Sequence, residues 1–396
     1  MRVVHVVPAL FGPDGLVGGA ERYAFELARH MASTVPTTLV GFGDAAREEW
    51  RGPLRVRTLP AWHVRGQRSN PFSLAILREL ERADVVHCHQ HHVLVSSVAA
   101  AWCRMRGRRV FVSDLGGGGW DVSAYVPTDA WFHGHLHLSE YSRQVFGHAA
   151  NARARVVGGG VDTARFSPDS AVARDGGALF VGRLLPHKGV GDLIEGMPAH
   201  LPLTIVGPRP DDATRARLEA SALEKNVTFR YDLADDDLVH EYRRALCVVL
   251  PSVYRTPVGE TKVPELLGQT LLEGMACGAA ALCTRVASMP EVVEDGVTGF
   301  VVPPNDPAAL GERLAWLAAH REQAAVMGAA GRARVLRHFT WDAVVSRCLD
   351  AYGIAEPRAA EPLTAEPLTV RPEGGQLDTV LARRSFHGSG YEAERR

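Results

Sequence analysis

Cys247-Val-Val-Leu250, Glu265-Leu-Leu-Gly-Gln-Thr-Leu-Leu-Glu-Gly-Met-Ala-Cys-Gly278 and Ala280-Ala-Leu-Cys283 follow one another in the second half of this chain. The outer two pieces are short apolar runs, the signature of strands buried on both faces, and the middle one leads into a helix of small residues. Strand, helix and strand in that order predict a crossover unit of a parallel sheet. The middle piece also carries two carboxylates, Glu265 and Glu273, separated by seven residues. Two acids at one helix mouth suit different hydroxyl sets of a polyhydroxylated ligand. Upstream, Val181-Gly-Arg-Leu-Leu-Pro-His-Lys-Gly189 supplies Arg183 and Lys188, a planar fork and a compact charge suited to phosphate. Together they describe a site for a nucleotide-diphosphate sugar.

Outward from this segment the strand–helix alternation continues. Ala178–Val181, Leu203–Val206, Val227–Arg230 and Gly299–Val302 read as further strands, with helices over Gly189–Met197, Asp211–Leu223 and Asp235–Arg244. The first half repeats the pattern: strands at Val3–Val7, Pro36–Phe42, Arg55–Leu59, Asp84–His87 and Arg109–Ser113, helices near Ala20–Met31, Phe72–Glu81 and Val93–Arg106. Two doubly wound domains facing an interdomain cleft are the expectation. The turn-rich stretch beginning Gly158-Gly-Gly-Val-Asp reads as the hinge. Domains of 1–160 and 161–340 follow, with a last helix near 340–353 packing back on the first domain. Residues 357–396 contain the repeat Glu361-Pro-Leu-Thr-Ala-Glu-Pro-Leu-Thr and few apolar residues, so a disordered tail is predicted there.

Composition narrows the function classes. The 396 residues, 46% hydrophobic and 22% charged, suit a globular protein with an ample core. A net charge of -1 gives no reason to expect nucleic acid or an acidic membrane as partner. No apolar run approaches the ~18 residues of a membrane span, and the opening Met1-Arg-Val-Val-His-Val-Val-Pro reads as a strand and not a signal peptide. Six scattered cysteines among apolar neighbours read as buried free thiols, and a cytoplasmic location is expected.

The glycine turn Gly15-Leu-Val-Gly-Gly19 lacks the Gly-x-Gly-x-x-Gly spacing of a dinucleotide fingerprint, which argues against hydride transfer. His87-Cys-His-Gln-His-His92 looks like a metal cluster, but no acid or Cys pair stands at ligand spacing. It and Trp131-Phe-His-Gly-His-Leu-His137 read as strand and loop histidines. No metal and no cofactor are expected.

Taken together, the segments resemble the retaining glycosyltransferases of family 4, which have the GT-B fold. The resemblance runs from Val3 to about Tyr352. Its strongest parts are Val181–Gly189, Leu250-Pro-Ser252, Pro264–Gly278 and Pro290-Glu-Val-Val-Glu-Asp-Gly-Val-Thr-Gly-Phe-Val-Val-Pro-Pro304. It implies that Arg183 and Lys188 contact the donor diphosphate, where leaving-group charge grows. Glu265 would take the donor sugar's hydroxyls and Glu273 those of the ribose. Backbone amides at Leu267 and Gly268 would assist, and Gly207 and Arg230, at strand ends, would receive the base. Gly18 and Gly19 would form the glycine loop over the diphosphate.

Two places depart from the family pattern. Where many members carry a His, this chain has Ser113-Asp-Leu-Gly-Gly-Gly-Gly-Trp120. Asp114 then has two readings: a polar group that orients or deprotonates the acceptor, or the organiser of a glycine turn. Tyr254-Arg-Thr-Pro-Val-Gly-Glu-Thr-Lys-Val263 is longer and more polar than a minimal connection, which suits a donor or acceptor rim.

The function this implies is transfer of a hexose from a nucleotide-diphosphate sugar, a UDP-sugar favoured, to a hydroxyl, with retention. A soluble natural-product or aminocyclitol acceptor, and so antibiotic biosynthesis, is preferred. No basic amphipathic helix stands out to hold a lipid surface. A polysaccharide or cell-surface glycan acceptor is the alternative, followed by a GT-B nucleotide-sugar epimerase and a noncatalytic nucleotide-sugar-binding subunit.

Overall fold

The computed structural model describes residues 1–10, 19–116, 120–261 and 265–353. Gly18, the glycines at 117–119, the rim residues 262–264 and the predicted tail lie outside the described residues. The chain divides into two compact units. Among the described residues, one comprises Met1–His137, Gly147–Val157 and 345–353; the other comprises Leu138–Phe146 and Gly158–Val344.

The second unit is built on a six-stranded, wholly parallel sheet. Its strands run in the order Val227–Tyr231, Leu203–Gly207, Ala178–Val181, Cys247–Leu250, Ala280–Thr284, Gly299–Val302. By chain position this is 3-2-1-4-5-6, the doubly wound order that reverses beside its first strand. Ligands of such sheets bind outside the carboxyl ends of the strands at the reversal, here where Val181 and Leu250 end. The segments leaving those two strands carry Arg183, Lys188 and Glu265.

Why these residues form this sheet is visible in their burial. All four residues of Ala178–Val181, Cys247–Leu250 and Gly299–Val302 are buried, as the uninterrupted apolar runs require. The helix Gln269–Ala276 lies on this sheet with Leu271, Leu272, Met275 and Ala276 fully buried. It comes so close that a Cβ placed on Gly274 would lie 2.5 Å from the Val248 side chain. Small residues in the opening stretch therefore set the helix–sheet distance.

The first unit holds an eight-stranded sheet in the order Ala154–Val156, Gly134–His137, Arg109–Val112, Val85–Cys88, Val3–Leu10, Thr37–Gly43, Leu54–Pro60, Arg47–Arg51. All pairings are parallel except the last, an antiparallel edge. That edge strand, exposed at every residue, carries no apolar alternation and went unread in the sequence. Helices Gly19–Ala32 and Leu94–Met105 cover the sheet with Leu27, Ala28, Met31, Ala99, Ala100 and Cys103. All six cysteines are free and buried. Burial pushes the thiols up, to about 12 for Cys247 and Cys348, so they are inert packing groups at neutral pH.

Candidate functional site

Two loops and one helix mouth bring the charged residues of the second unit together. After the strand Ala178–Val181 the chain passes Gly182 and Arg183 into a short 3-10 turn, Pro186–Lys188. The turn is pinned from outside, because Val253 N donates to the His187 carbonyl at 2.8 Å. Gly189 closes it with φ 66°, against the Pro251 carbonyl. This presents Lys188, whose Nζ donates to Glu265 Oε1. Ser252 Oγ donates to the same oxygen at 2.9 Å. Both side chains of the ion pair are largely sequestered, at 15% and 11% exposure. A pair this sheltered is held by its hydrogen bonds as well as its charges, and removing one partner strands the other.

Lys188 and Glu265, read separately as a phosphate ligand and a sugar ligand, are thus direct partners. An anionic ligand reaching Lys188 exchanges one negative partner for another. Arg183 is exposed on the same loop. Its charge and that of Lys188 act on His187, whose pKa falls to about 4, chiefly through burial.

Glu265 leads through Leu266 and Leu267 to Gly268, which sits left-handed at φ 78° and caps the helix Gln269–Ala276. Gly268 is the residue type that adopts this conformation without strain, and its carbonyl accepts from Leu271 N at 3.0 Å as the helix begins. Leu267 is buried. Leu267 therefore anchors the loop by packing.

Glu273 lies one turn into the same helix and is 6% exposed. Its Oε2 accepts from the Tyr242 hydroxyl at 2.8 Å, and Gln269 Nε2 lies 3.5 Å from Oε1. Tyr242 is fully buried on the helix Asp235–Arg244. A carboxylate has acceptor capacity beyond one hydroxyl, so this contact orients Glu273 without exhausting it.

Gly207 and Arg230 stand on neighbouring paired strands, where Val206 is the partner of Arg230 and Tyr231 that of Gly207. Gly207 ends its strand against the neighbouring one: a Cβ there would lie 2.1 Å from the Gly182 carbonyl oxygen. Arg230 pairs with the buried Glu241 through Nη1. Its fork is engaged by a carboxylate of the helix Asp235–Arg244.

In the first unit, Gly19 opens the helix Gly19–Ala32 and is exposed. Asp114 is buried. Its Oδ1 accepts from Gly116 N at 3.1 Å and from Gln90 Nε2 at 3.0 Å. The first of these bonds closes an Asx turn, the turn-organising one of its two readings. Burial raises the Asp114 pKa, partly offset by His92.

The residues that sequence reasoning passed over are the ones that position others. Ser252, inside Leu250-Pro-Ser252, holds Glu265. Tyr242, one aromatic on a charged helix, holds Glu273. Glu291 of Pro290-Glu accepts from the amides of Glu140 and Tyr141, both at 2.7 Å, capping the helix Glu140–Val145. Ser139 Oγ adds a bond to the Leu266 carbonyl at 2.8 Å. Glu291 thereby fixes the short helix beside the Glu265–Gly268 loop. The Pro-Glu dipeptide was a visible signal; its partner, more than a hundred residues away, was not. The rim segment contains a small hairpin, Arg255–Thr256 with Gly259–Glu260, whose tip residue Val258 is exposed.

Comparison with known proteins follows the same division. Residues 17–165 match "Glycosyltransferase Family 4" and residues 170–334 match "Glycosyl transferases group 1". The alpha-maltose-1-phosphate synthase of Mycolicibacterium smegmatis is 32% identical over 50% of this chain and 56% of its own length. A GDP-mannose-dependent alpha-(1-6)-phosphatidylinositol monomannoside mannosyltransferase of Mycobacterium tuberculosis is 29% identical over 54% of this chain and 60% of its own. The chain thus spans a little over half the length of these two relatives. In fold it is similar to Anabaena Alr3699/HepE, solved in complex with UDP and glucose. That likeness has TM-score 0.66 at 14% identity and covers 90% of this chain and 100% of that one. With the two matches in order along one chain, and each unit wound on a parallel sheet, the protein belongs to the family 4 type glycosyltransferases of the GT-B fold.

Proposed function

We propose that this protein transfers a hexose from a nucleotide-diphosphate sugar to an acceptor hydroxyl with retention of anomeric configuration. The observation that carries the reading is the Lys188–Glu265–Ser252 group beside the Gly268 helix mouth, at the reversal of the second unit's sheet. Arg183 and Lys188 offset the charge that grows on the departing diphosphate. Amides at Leu267 and Gly268 add partial positive charge without any proton to lose. Glu265, released from Lys188 by the arriving phosphate, accepts from the transferred sugar. Glu273, oriented by Tyr242, accepts from the ribose, and Gly207 with Arg230 borders the base.

Retention without an enzymic nucleophile is best served by a front-face displacement. The glycosidic C–O bond breaks ahead of attack, the anomeric carbon passes through an oxocarbenium-like state, and the leaving phosphate oxygen takes the acceptor's proton. The reading asks nothing of a metal, because Arg183, Lys188 and the helix amides would offset the diphosphate charge. Asp114 and Gly19, with Gly18, are assigned to the acceptor and glycine-loop side.

A UDP-sugar is the favoured donor. The bound UDP of the Anabaena protein agrees with it, and the GDP-mannose dependence of the mycobacterial relative names the competitor. A soluble natural-product or aminocyclitol acceptor, used in the cytoplasm, remains our first choice. Among the described residues no helix is long and apolar enough to cross a membrane. A glycan or lipid-linked acceptor is the second reading, favoured by the names of the mannosyltransferase relatives.

The test is a thermal-shift panel of UDP-, GDP-, ADP- and dTDP-sugars on the full chain, then acceptor screening with the best donor and NMR of the product anomer. A stabilising donor and an axial-to-axial or equatorial-to-equatorial product are expected. An inverted product rejects retention. An epimer formed from nucleotide sugar alone moves the protein to the epimerase reading, and donor binding with neither transfer nor hydrolysis makes it a binding subunit.

A further inference from the structure

The first unit gathers histidines in a way the sequence did not foretell. Asp129 opens a 3-10 turn, Asp129–Trp131. His135 stands on the strand Gly134–His137, and His148 lies in the loop between the helix Glu140–Val145 and the edge strand Ala154–Val156. One nitrogen of each ring and one oxygen of the carboxylate lie within 4.8 Å of one another. Asp129 Oδ1 is 4.0 Å from His148 Nε2 and 3.6 Å from His91 Nε2. The other nitrogen of His148 meets His137 Nε2 at 3.0 Å, which turns its Nε2 toward the carboxylate. His135 Nε2 lies 3.2 Å from the Asp129 carbonyl, and an imidazole that donates through one nitrogen keeps a lone pair on the other.

We propose that Asp129, His135 and His148 form a zinc(II) site that clips the turn, the strand and the loop together at this end of the sheet. Two imidazoles and a carboxylate are the ligand types of zinc, whereas calcium and magnesium take oxygen. Water fills the fourth position, since the Asp129 side chain is 55% exposed and leaves a way in. Ligand atoms around zinc stand about 3.3 Å apart, given bonds of ~2.0–2.1 Å, so binding draws these groups in by less than about 1.5 Å. A neutral imidazole has a lone pair to give, and zinc binding displaces any proton the ring carries. His137 behind His148 plays the orienting part that ligating histidines need.

Two other histidine groups are less suited. His5, His87 and His89 also lie close together. There, however, His87 spends both nitrogens, on Ser113 Oγ at 2.9 Å and the Tyr352 hydroxyl at 2.7 Å, and His5 Nδ1 meets His89 Nε2 at 2.8 Å. In the group of His91, His92 and Asp114, the rings already meet Thr128 and Ser123, and Asp114 Oδ1 accepts two bonds.

The test uses tag-free full-length protein stripped with chelator. Zinc is titrated against a chromogenic competitor, bound metal is counted by mass spectrometry, and cobalt(II) is substituted for its visible spectrum. One zinc per chain, a tetrahedral cobalt band and a zinc-dependent rise in Tm are expected. Asp129→Asn and His148→Asn should each weaken binding by at least about tenfold. Asp129 is half exposed, so its variant folds and decides the matter even where His148→Asn does not. Absence of stoichiometric zinc at micromolar metal overturns the proposal. So does Asp129→Asn binding zinc like the parent chain, or a loss of zinc that follows His89→Asn instead.

Discussion

The two units use one architecture for opposite electrostatics. Both are parallel sheets wrapped by helices. In the second, the ends of the central strands lead to ionisable side chains, Arg183, Lys188 and Glu265, on loops with partial access to water. In the first, the strands themselves carry titratable groups: His5, His87, His135 and His137 sit on strands with 0–1% exposure. Burial lowers the pKa of His5 to about 3 and of His135 to about 4, and also depresses His87, His89, His91 and His148. In the second unit His187, also depressed by burial, stands in a loop turn and not on a strand. Where a group stands relative to the strand end decides whether it works as a charge or as a neutral hydrogen-bonding core residue.

The largest effect that can break this contrast is acid. A histidine whose folded pKa lies below its unfolded value near 6.5 binds fewer protons when folded. Stability is therefore full above about 6.5 and falls as pH drops toward the folded values of about 4 and 3. With several such groups in one unit, the first should open well before the second. Hydrogen exchange by mass spectrometry at pH 7 and pH 5 should find new exchange in strands Val3–Leu10, Val85–Cys88 and Gly134–His137. Equal loosening of both units removes the contrast.

Next in size is Lys188→Ala, which should cut turnover by about a hundredfold or more and weaken donor diphosphate binding. The change also strands Glu265, so circular dichroism must accompany the kinetics, and Lys188→Arg serves as the charge-keeping partner. Near-normal turnover in a folded Lys188→Ala protein rejects the phosphate role.

Gly274→Ala probes packing beneath the same site. A methyl that meets Val248 must shift the helix, at a cost of about 1–3 kcal/mol in denaturant unfolding. A neutral outcome means that the helix rides on the sheet with slack. Glu273→Ala should raise the donor's Kd and remove the buried hydrogen bond from the Tyr242 hydroxyl, costing about 1–3 kcal/mol. Unchanged donor affinity with lowered stability reassigns Glu273 to packing.

The smallest and sharpest change is Tyr242→Phe. Losing one orienting hydroxyl should raise the donor's Kd by about two- to tenfold and lower unfolding stability by about 1–3 kcal/mol. If Glu273 is purely structural, stability moves and Kd does not.

Much of the fold was legible because parallel strands announce themselves as unbroken apolar runs. Asp235–Arg244, Cys247–Leu250 and Gly299–Val302 stand where the sequence puts them. The strand at Arg47–Arg51 was not legible, since an edge held by charged side chains has no buried face to mark it. The spacing of Glu265 and Glu273 and the order of the glycine-flanked basic loop revealed which residues belong to one chemistry. They did not reveal who touches whom.

The sequence by itself determined the two doubly wound units, the family resemblance and the charged inventory of the second unit. These follow from local properties: hydrophobic period, small residues at close packing, and motif order. Only the tertiary structure decided that Lys188 pairs with Glu265, that Tyr242 orients Glu273, that Glu291 caps a helix about 150 residues earlier, and that Asp129 and His148 flank His135. Each is a contact between segments remote in sequence. The winding of a parallel sheet brings such segments to a common edge, and no local pattern of residues records which ones will meet there.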